Sequence, residues 1–360
     1  MTQLCNQHGG VNLAQGFPDF PTPPELKEAA KRAIDEDFNQ YSITWGAPSL
    51  RKAIAEKARA FNRIPCDADA NVTVTCGSTE AMMAALLAII NPGDEVIILE
   101  PFYENYGPDV IVSGAKAVYV PLHEPDFTFD PAELRRAFGP RTKAIIVNTP
   151  HNPTGRVLTA EELDQIASLC DEFDCYCLTD EIYEHIVYDG REHISIASLP
   201  GMAERTVSIS GLSKTFSVTG WRVAYAIASE AVTSALRKMH DFLTVGAPHP
   251  LQIAGVAALA LGEPYYERLR RDYERRRDVL LEGLSAAGFA CREPEGAYYV
   301  MTDVGKFGFH SDTAFAQWLV REVGVAAVPG SSFYRQGSGE RHQIRFTFCK
   351  TEETLREAGK

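Results

Sequence analysis

The sequence predicts an α/β fold, with a mainly parallel sheet between layers of helices and a smaller α+β unit beside it. Three observations carry that expectation. Short apolar, β-branched runs alternate with longer helical patterns through the middle of the 360-residue chain. Several of those runs are apolar at consecutive positions, as strands buried on both faces require. The two ends of the chain lack this alternation and carry long helical patterns with isolated short strands.

Taken in order, PTPP at 21–24 leads into a helix with Leu26, Ala29, Ala30, Ala33 and Ile34 at helical spacing. Strands are expected at 72–75, 96–99, 117–120, 144–147, 176–178, 207–209 and 223–227. Helices are expected over 79–90 and 160–173; in the second, Leu163, Ile166, Ala167, Cys170 and Phe173 form one stripe. After about residue 251 come long helices such as 265–284, then short strands near 297–301 and 344–348. This pattern predicts a large domain over 35–250 and a small domain built from 1–34 and 251–360.

A formal net charge of −13 argues against tracking a phosphate backbone, which needs a clustered cationic face, so nucleic acid is not an expected partner. The arginine-rich stretch 268–277 is interleaved with Asp272 and Glu274 and reads as a solvated helix face. The longest apolar runs, 81–90 and 253–261, are shorter than the roughly 18 residues of a membrane span, so no membrane role is expected. The first ten residues are polar with no apolar signal core, and eight cysteines scattered over 360 residues do not resemble a disulfide framework. A reducing cytoplasm is the expected compartment. Cys175 and Cys177 are expected to alternate faces of a strand rather than converge on a metal, and no metal site is expected.

Ligands of open parallel sheets bind beyond the carboxyl ends of the strands. Here those ends run into Gly77, Ser78 and Thr79; into Phe102 and Tyr103; into His151, Asn152, Pro153, Thr154 and Gly155; into Asp180 and Tyr183; and into Ser210, Gly211, Ser213 and Lys214, with Arg222 following. The set offers an anion cradle, an aromatic face, an amide, a carboxylate, a phenol, an amine and a guanidinium. Each has a task on a phosphorylated aromatic aldehyde. The amine forms a Schiff base, and the carboxylate keeps a ring nitrogen protonated so that the ring can act as an electron sink. Amide and phenol donors suit a ring oxyanion; a helix N-terminus and an arginine suit the phosphate. That ligand is pyridoxal 5′-phosphate (PLP). Neither a Walker A pattern nor G-x-G-x-x-G after the first strand competes with it.

The ordered set Asn152-Pro153-Thr154-Gly155, Asp180-x-x-Tyr183, Ser213-Lys214-Thr215 and Gly220-Trp221-Arg222 resembles the signatures of fold type I, class I/II PLP-dependent aminotransferases. The resemblance extends from Gly16-Phe17-Pro18-Asp19-Phe20 to Arg345, and it is nearest to the kynurenine, glutamine, methionine and aspartate aminotransferase group. It implies that Lys214 is the Schiff-base lysine and proton carrier and that Asp180 pairs with the pyridine nitrogen. It also implies that Asn152 and Tyr183 bind the ring oxygen, with Tyr103 stacked on the ring. Arg222, Gly77, Ser78 and Thr79 would hold the phosphate, and Ser210 or Ser213 would stand in for a serine that relatives carry at Gly211. Arg345 would clamp the substrate α-carboxylate, with Asn152, Gly16 and Phe17 also on the substrate. Tyr41 would reach the neighbouring subunit's phosphate, which makes the active unit a homodimer. The chain stops at Lys360, soon after Arg345, where the resemblance leads one to expect continuation into a final helix.

The activity so implied is exchange of an α-amino group between an L-amino acid and a 2-oxoacid, with broad or aromatic, methionine, glutamine or kynurenine-type specificity. An aspartate-type enzyme and a C–S β-lyase share these motifs. An effector domain of a transcription regulator would need a DNA-binding unit, for which no basic patch exists. His151, His185 and Trp45 read as packing or rim residues.

Overall fold

In the computed structural model, which describes residues 1–337, 339 and 341–360, the chain opens with α1 (Thr2–His8) and a two-residue strand, β1 (Val11–Asn12). Two helices with proline at their first position follow, α2 (Pro24–Asp35) and α3 (Pro48–Lys57). Proline suits that position because the N–H it lacks would have no helical partner there. Strands and helices then alternate: β2 (Val72–Thr75), α4 (Ser78–Ile89), β3 (Glu95–Glu100), α5 (Tyr106–Val112), β4 (Lys116–Pro121), α6 (Pro131–Ala137) and β5 (Thr142–Asn148). They continue through α7 (Ala160–Glu172), β6 (Tyr176–Asp180), β7 (Thr206–Gly211) and β8 (Ala224–Ile227). Three helices come next, α8 (Glu230–Leu243), α9 (His249–Leu259) and the 25-residue α10 (Gly262–Ala286). The last stretch holds β9 (Ala290–Cys291), β10 (Tyr299–Asp303), α11 (Asp312–Trp318), β11 (Val325–Ala326), β12 (Val328–Pro329), β13 (Gln343–Thr347) and α12 (Glu352–Ala358).

The central sheet has the order β2-β8-β7-β6-β5-β3-β4. Its strands run the same way except β8, which pairs antiparallel with both β2 and β7. Alternation along each strand sends side chains to two apolar layers. Val96 and Ile98 join Leu86, Val110 and Leu236 on one face, while Ile97 and Leu99 join Leu163 and Ile166 on the other. A buried side chain of this size contributes about 1.5–3 kcal/mol, so both faces hold the sheet in place. α7 is fixed at its start by a capping box between Thr159 and Glu162. Cys175 and Cys177 pack in the same layer, beside Cys170, and not on opposite faces as expected. Residues two apart in a strand share a face. On α2, Leu26, Ala29, Ala30 and Ala33 are buried, whereas Ile34 lies at the edge of the stripe and is half exposed.

A four-stranded antiparallel sheet, β12-β13-β10-β9, and the parallel pair β1–β11 lie in the C-terminal third, with β1 supplied by the first residues of the chain. Two features of register matter for the site. Asn148 at the end of β5 pairs with Asp180 at the end of β6, and Asp180 pairs with Ile209 in β7. β5 and β6 therefore end level and β7 runs two residues further, so what emerges from all three meets at one edge of the sheet.

Candidate active site

That place is a cavity of ≈140 Å³, lined by Ser78, Thr79, Tyr103, Asn152, Asp180, Tyr183, Ser213, Lys214 and Arg222 from the sequence reading, together with Tyr106, Asn148, Ile182, Thr219 and Tyr299.

Lys214 sits in the turn that leaves β7, where Phe216 N donates to Leu212 O and Val218 N to Ser213 O. Its ammonium nitrogen donates to the Gly16 carbonyl at 3.1 Å and lies 5.9 Å from the centre of the Tyr183 ring. Burial pulls it down to about 8, because a charged amine loses hydration that one carbonyl does not replace. Asp180 ends β6. Its Oδ2 accepts from the Tyr106 hydroxyl at 2.8 Å and its Oδ1 from Ile182 N at 3.3 Å. Burial raises this carboxyl to about 6, with the Tyr106 bond opposing the rise.

Asn148 joins the strand ends. Its Nδ2 donates to the Asp180 carbonyl at 2.8 Å while its Oδ1 accepts from Asn152 N at 2.8 Å. The Asn152 side chain in turn accepts from Arg345 Nη1 at 2.7 Å. Arg345, on β13, also donates from Nη2 to the Ala14 carbonyl at 3.0 Å and lies between the rings of Tyr299 and Phe333. Its Nε is buried without a partner, so a buried donor next to the cavity awaits an acceptor. The Tyr183 and Tyr299 hydroxyls meet at 3.2 Å.

At the other end, Gly77 precedes α4 with φ of 87°, a conformation glycine adopts at little cost. A Cβ on Gly77 would lie 2.1 Å from Arg222 Nη2, so the guanidinium rests directly on the helix N-terminus. Two features of positive potential packed together call for an anion between them. Arg222 itself holds φ of 54°, unusual for a residue with a side chain.

Other residues singled out in the sequence lie elsewhere. Ser210 does not line the cavity: its hydroxyl donates to Glu184 Oε1 at 2.5 Å. At Gly211 a Cβ would sit 2.7 Å from Ala224 Cβ, so β8 leaves no room there for the serine of relatives. Gly16 meets the site through its carbonyl, and a Cβ on it would strike the Tyr299 hydroxyl. Phe17 is half exposed against Lys350. Tyr41 is 85% exposed and is not among the residues that line this chain's cavity. Trp45 lies under the Arg237 guanidinium. His151 bonds Thr154 at 2.7 Å and is held near 3 by burial. The sequence reading missed Tyr106, Asn148 and Tyr299. Tyr106 is three residues past Tyr103, and Asn148 directly follows an apolar strand run, so both carried a positional signal.

These residues fit PLP. Asp180 is a buried carboxylate with no cation paired to it among the described residues, as a site for a protonated pyridine nitrogen requires. The Gly77–Arg222 contact would cradle a phosphate, and Lys214 is an amine whose burial loosens its hold on its proton.

Comparison with known proteins agrees. The family described as aminotransferase class I and II matches residues 8–360. A probable N-succinyldiaminopimelate aminotransferase of Mycobacterium tuberculosis is 41% identical over 99% of this chain and 93% of its own length. Human kynurenine–oxoglutarate transaminase 1 is 37% identical over 98% and 92%. The solved M. tuberculosis N-succinyldiaminopimelate aminotransferase superposes with a TM-score of 0.96 over 100% of this chain and 94% of that one. An Escherichia coli structure identified with a methionine aminotransferase function also gives 0.96, at 35% identity over 99% and 94%. The chain belongs to the class I and II aminotransferases, PLP-dependent enzymes that move an amino group from an amino acid to a 2-oxoacid.

Proposed function

We propose that the cavity is the transamination site, with Lys214 as cofactor anchor and proton carrier. The observation that carries the reading is the meeting, on one small cavity, of a buried amine of lowered basicity, a buried carboxylate with no cation paired to it among the described residues, and an arginine seated on a helix N-terminus. When bound, PLP supplies an electron sink for charge developing at the substrate Cα. Asp180, tied to Tyr106, pairs with the pyridine nitrogen. Arg222 and the N–H groups at Ser78 and Thr79 hold the phosphate, Tyr103 covers the ring, and Asn152 and Tyr183 meet its oxygen. Lys214 Nζ, oriented by the Gly16 carbonyl, takes and returns the Cα proton. Arg345 offers its free Nε and remaining N–H groups to the substrate carboxylate.

Among the described residues, the cavity wall holds no cation besides Lys214 and Arg222, which favours amino acids whose side chains carry no second carboxylate. The homodimer reading is supported by Tyr41 and Phe242, 85% and 89% exposed, with Ile43, Leu243 and Val245 also exposed nearby in sequence. We divide the chain into a large domain at 35–250 and a small one from 1–34 and 251–360. Eight free cysteines suit a reducing compartment, and among the described residues no helix is long and apolar enough to cross a membrane.

Visible spectra of the PLP-loaded protein, recorded with one amino acid at a time, test the reading. Methionine, phenylalanine, glutamine or kynurenine should convert the aldehyde-derived band to that of pyridoxamine phosphate, with aspartate slower. Conversion by aspartate alone would replace the specificity proposed. Arg345→Ala should weaken binding of an unreactive carboxylate by about 10–100-fold, since charge-assisted bidentate contacts are the strong ones, and leave PLP affinity within about threefold.

A further inference from the structure

Residues 14–17 lie against the site, and the carbonyls of Ala14, Gly16 and Phe17 are taken by cations. The Ala14 carbonyl accepts from Arg345, the Gly16 carbonyl from Lys214, and the Phe17 carbonyl from Lys350 Nζ at 2.7 Å. The first two cations belong to the machinery described above; the third does not. Lys350 is only 4% exposed, and its ammonium lies 4.3 Å from the centre of the Phe17 ring. Among the described residues it forms no ion pair. One carbonyl and one ring face offset only part of the cost of burying an ammonium, so its place calls for a reason. Asp19 fastens the same stretch from the rim: Oδ1 accepts from Thr351 N at 2.6 Å and Oδ2 from the Thr354 hydroxyl at 2.7 Å. Residues 350–354 thus grip residues 17–19.

We propose that Lys350 is a positioning residue: by latching the Phe17 carbonyl, with Asp19 beside it, it fixes the adjoining Gly16 peptide whose carbonyl orients the Lys214 amine. The Tyr298 hydroxyl donates to the same Gly16 carbonyl at 2.8 Å, and Tyr299 closes the space on its other side, so the peptide has little freedom except toward Phe17. The latch acts on the proton carrier rather than on the substrate carboxylate. The inference rests on the reading of Lys214 given above.

The test compares Lys350→Met, Lys350→Arg and Asp19→Ala in the PLP-loaded enzyme. Misplacing a reacting amine by a fraction of an ångström costs rate steeply, so Lys350→Met should lower kcat about tenfold. The deuterium isotope effect with Cα-deuterated substrate should rise, while the Kd of an unreactive carboxylate stays within about twofold, because Arg345 keeps its own contacts. Lys350→Arg should restore most of the rate. Amide exchange over residues 14–20 should quicken in Lys350→Met. Asp19→Ala, at an exposed position that folding tolerates, should show the same pattern at about two- to threefold. Unchanged kcat and isotope effect in folded Lys350→Met, or in Asp19→Ala should the first variant not fold, would overturn the proposal. So would a loss confined to carboxylate affinity. Retained transamination in Lys214→Ala would instead remove the reading on which the latch depends.

Discussion

Asp180 and Glu181 are neighbours in sequence and both are buried, yet their carboxylates live in opposite circumstances. Glu181 and Glu184 belong to a closed hydrogen-bonded network, which holds an ion pair at Glu184. Glu181 accepts from Ser195 at 2.7 Å and Thr179 at 3.2 Å, and its other oxygen meets His193 Nε2 at 2.9 Å. Glu184 is met by Lys57 at 2.5 Å, Asn62 at 2.7 Å and Ser210 at 2.5 Å. Burial opposes ionisation of Glu184, but Lys57 and the other donors outweigh it and hold the carboxyl near 2. Asp180 has one phenol, one long backbone contact and, among the described residues, no cation bonded to it, so burial prevails and the group rises to about 6. The two lysines differ in the same way. Lys57 has a carboxylate partner, whereas Lys214 has, among the described residues, the Gly16 carbonyl and the faces of two tyrosine rings but no carboxylate bonded to it. Pairing of charge therefore separates groups that hold the fold from groups kept unsatisfied for a ligand, and proximity in sequence does not.

The largest effect expected from that contrast is on turnover. Lys214→Ala should lower transamination by at least about 10³-fold, since it removes both the anchor and the proton carrier. Thermal stability of the cofactor-free protein should be retained, because among the described residues Lys214 makes no ion pair that would be lost. A marked fall in Tm would show that Lys214 also holds the fold and would blur the comparison.

The paired lysine should behave the other way. Lys57→Met leaves Glu184 buried without its cation and should cost about 3–5 kcal/mol, measurable by denaturant unfolding. The folded fraction should still bind PLP. Stability within about 1 kcal/mol of the parent would mean that the network is not what holds these strand ends together.

The smallest effect is a gain. In the cofactor-free protein, the folded state keeps a proton on Asp180 up to about pH 6, whereas the unfolded chain releases it near pH 4. Stability therefore falls as pH rises through that window, and above it the penalty is complete. Asp180→Asn should stabilise the cofactor-free protein by about 1–3 kcal/mol at pH 8, with the gain fading as pH drops toward 4. Melting temperatures of both proteins across this range would check it. A gain independent of pH, or a loss, would contradict the view of Asp180 as an unpaired carboxylate.

Most of the central sheet was legible in the sequence because each strand is a run of apolar, β-branched residues ended by a turn. The direction of β8 was not, since 223–227 is as apolar as its parallel neighbours and burial on both faces carries no sign of polarity. The two-residue strands β1, β11 and β12 are too short to show any period. At the site, residues leaving β5, β6 and β7 could be placed because those strands end within two residues of one another. Ser210 could not, because a residue still inside a strand faces one layer or the other, and here it turns to Glu184. Tyr299 reaches the cavity from β10, and Lys350 touches residue 17 from the far end of the chain. Such contacts exist only after folding has brought distant segments together.

Reduction of the PLP-loaded protein with borohydride, followed by proteolysis and mass mapping, tests the assignment of Lys214 most directly. A pyridoxyl group on Lys214 alone is the result expected. Labelling of Lys57, Lys350 or any other lysine in its place, or no label despite bound PLP, would contradict it.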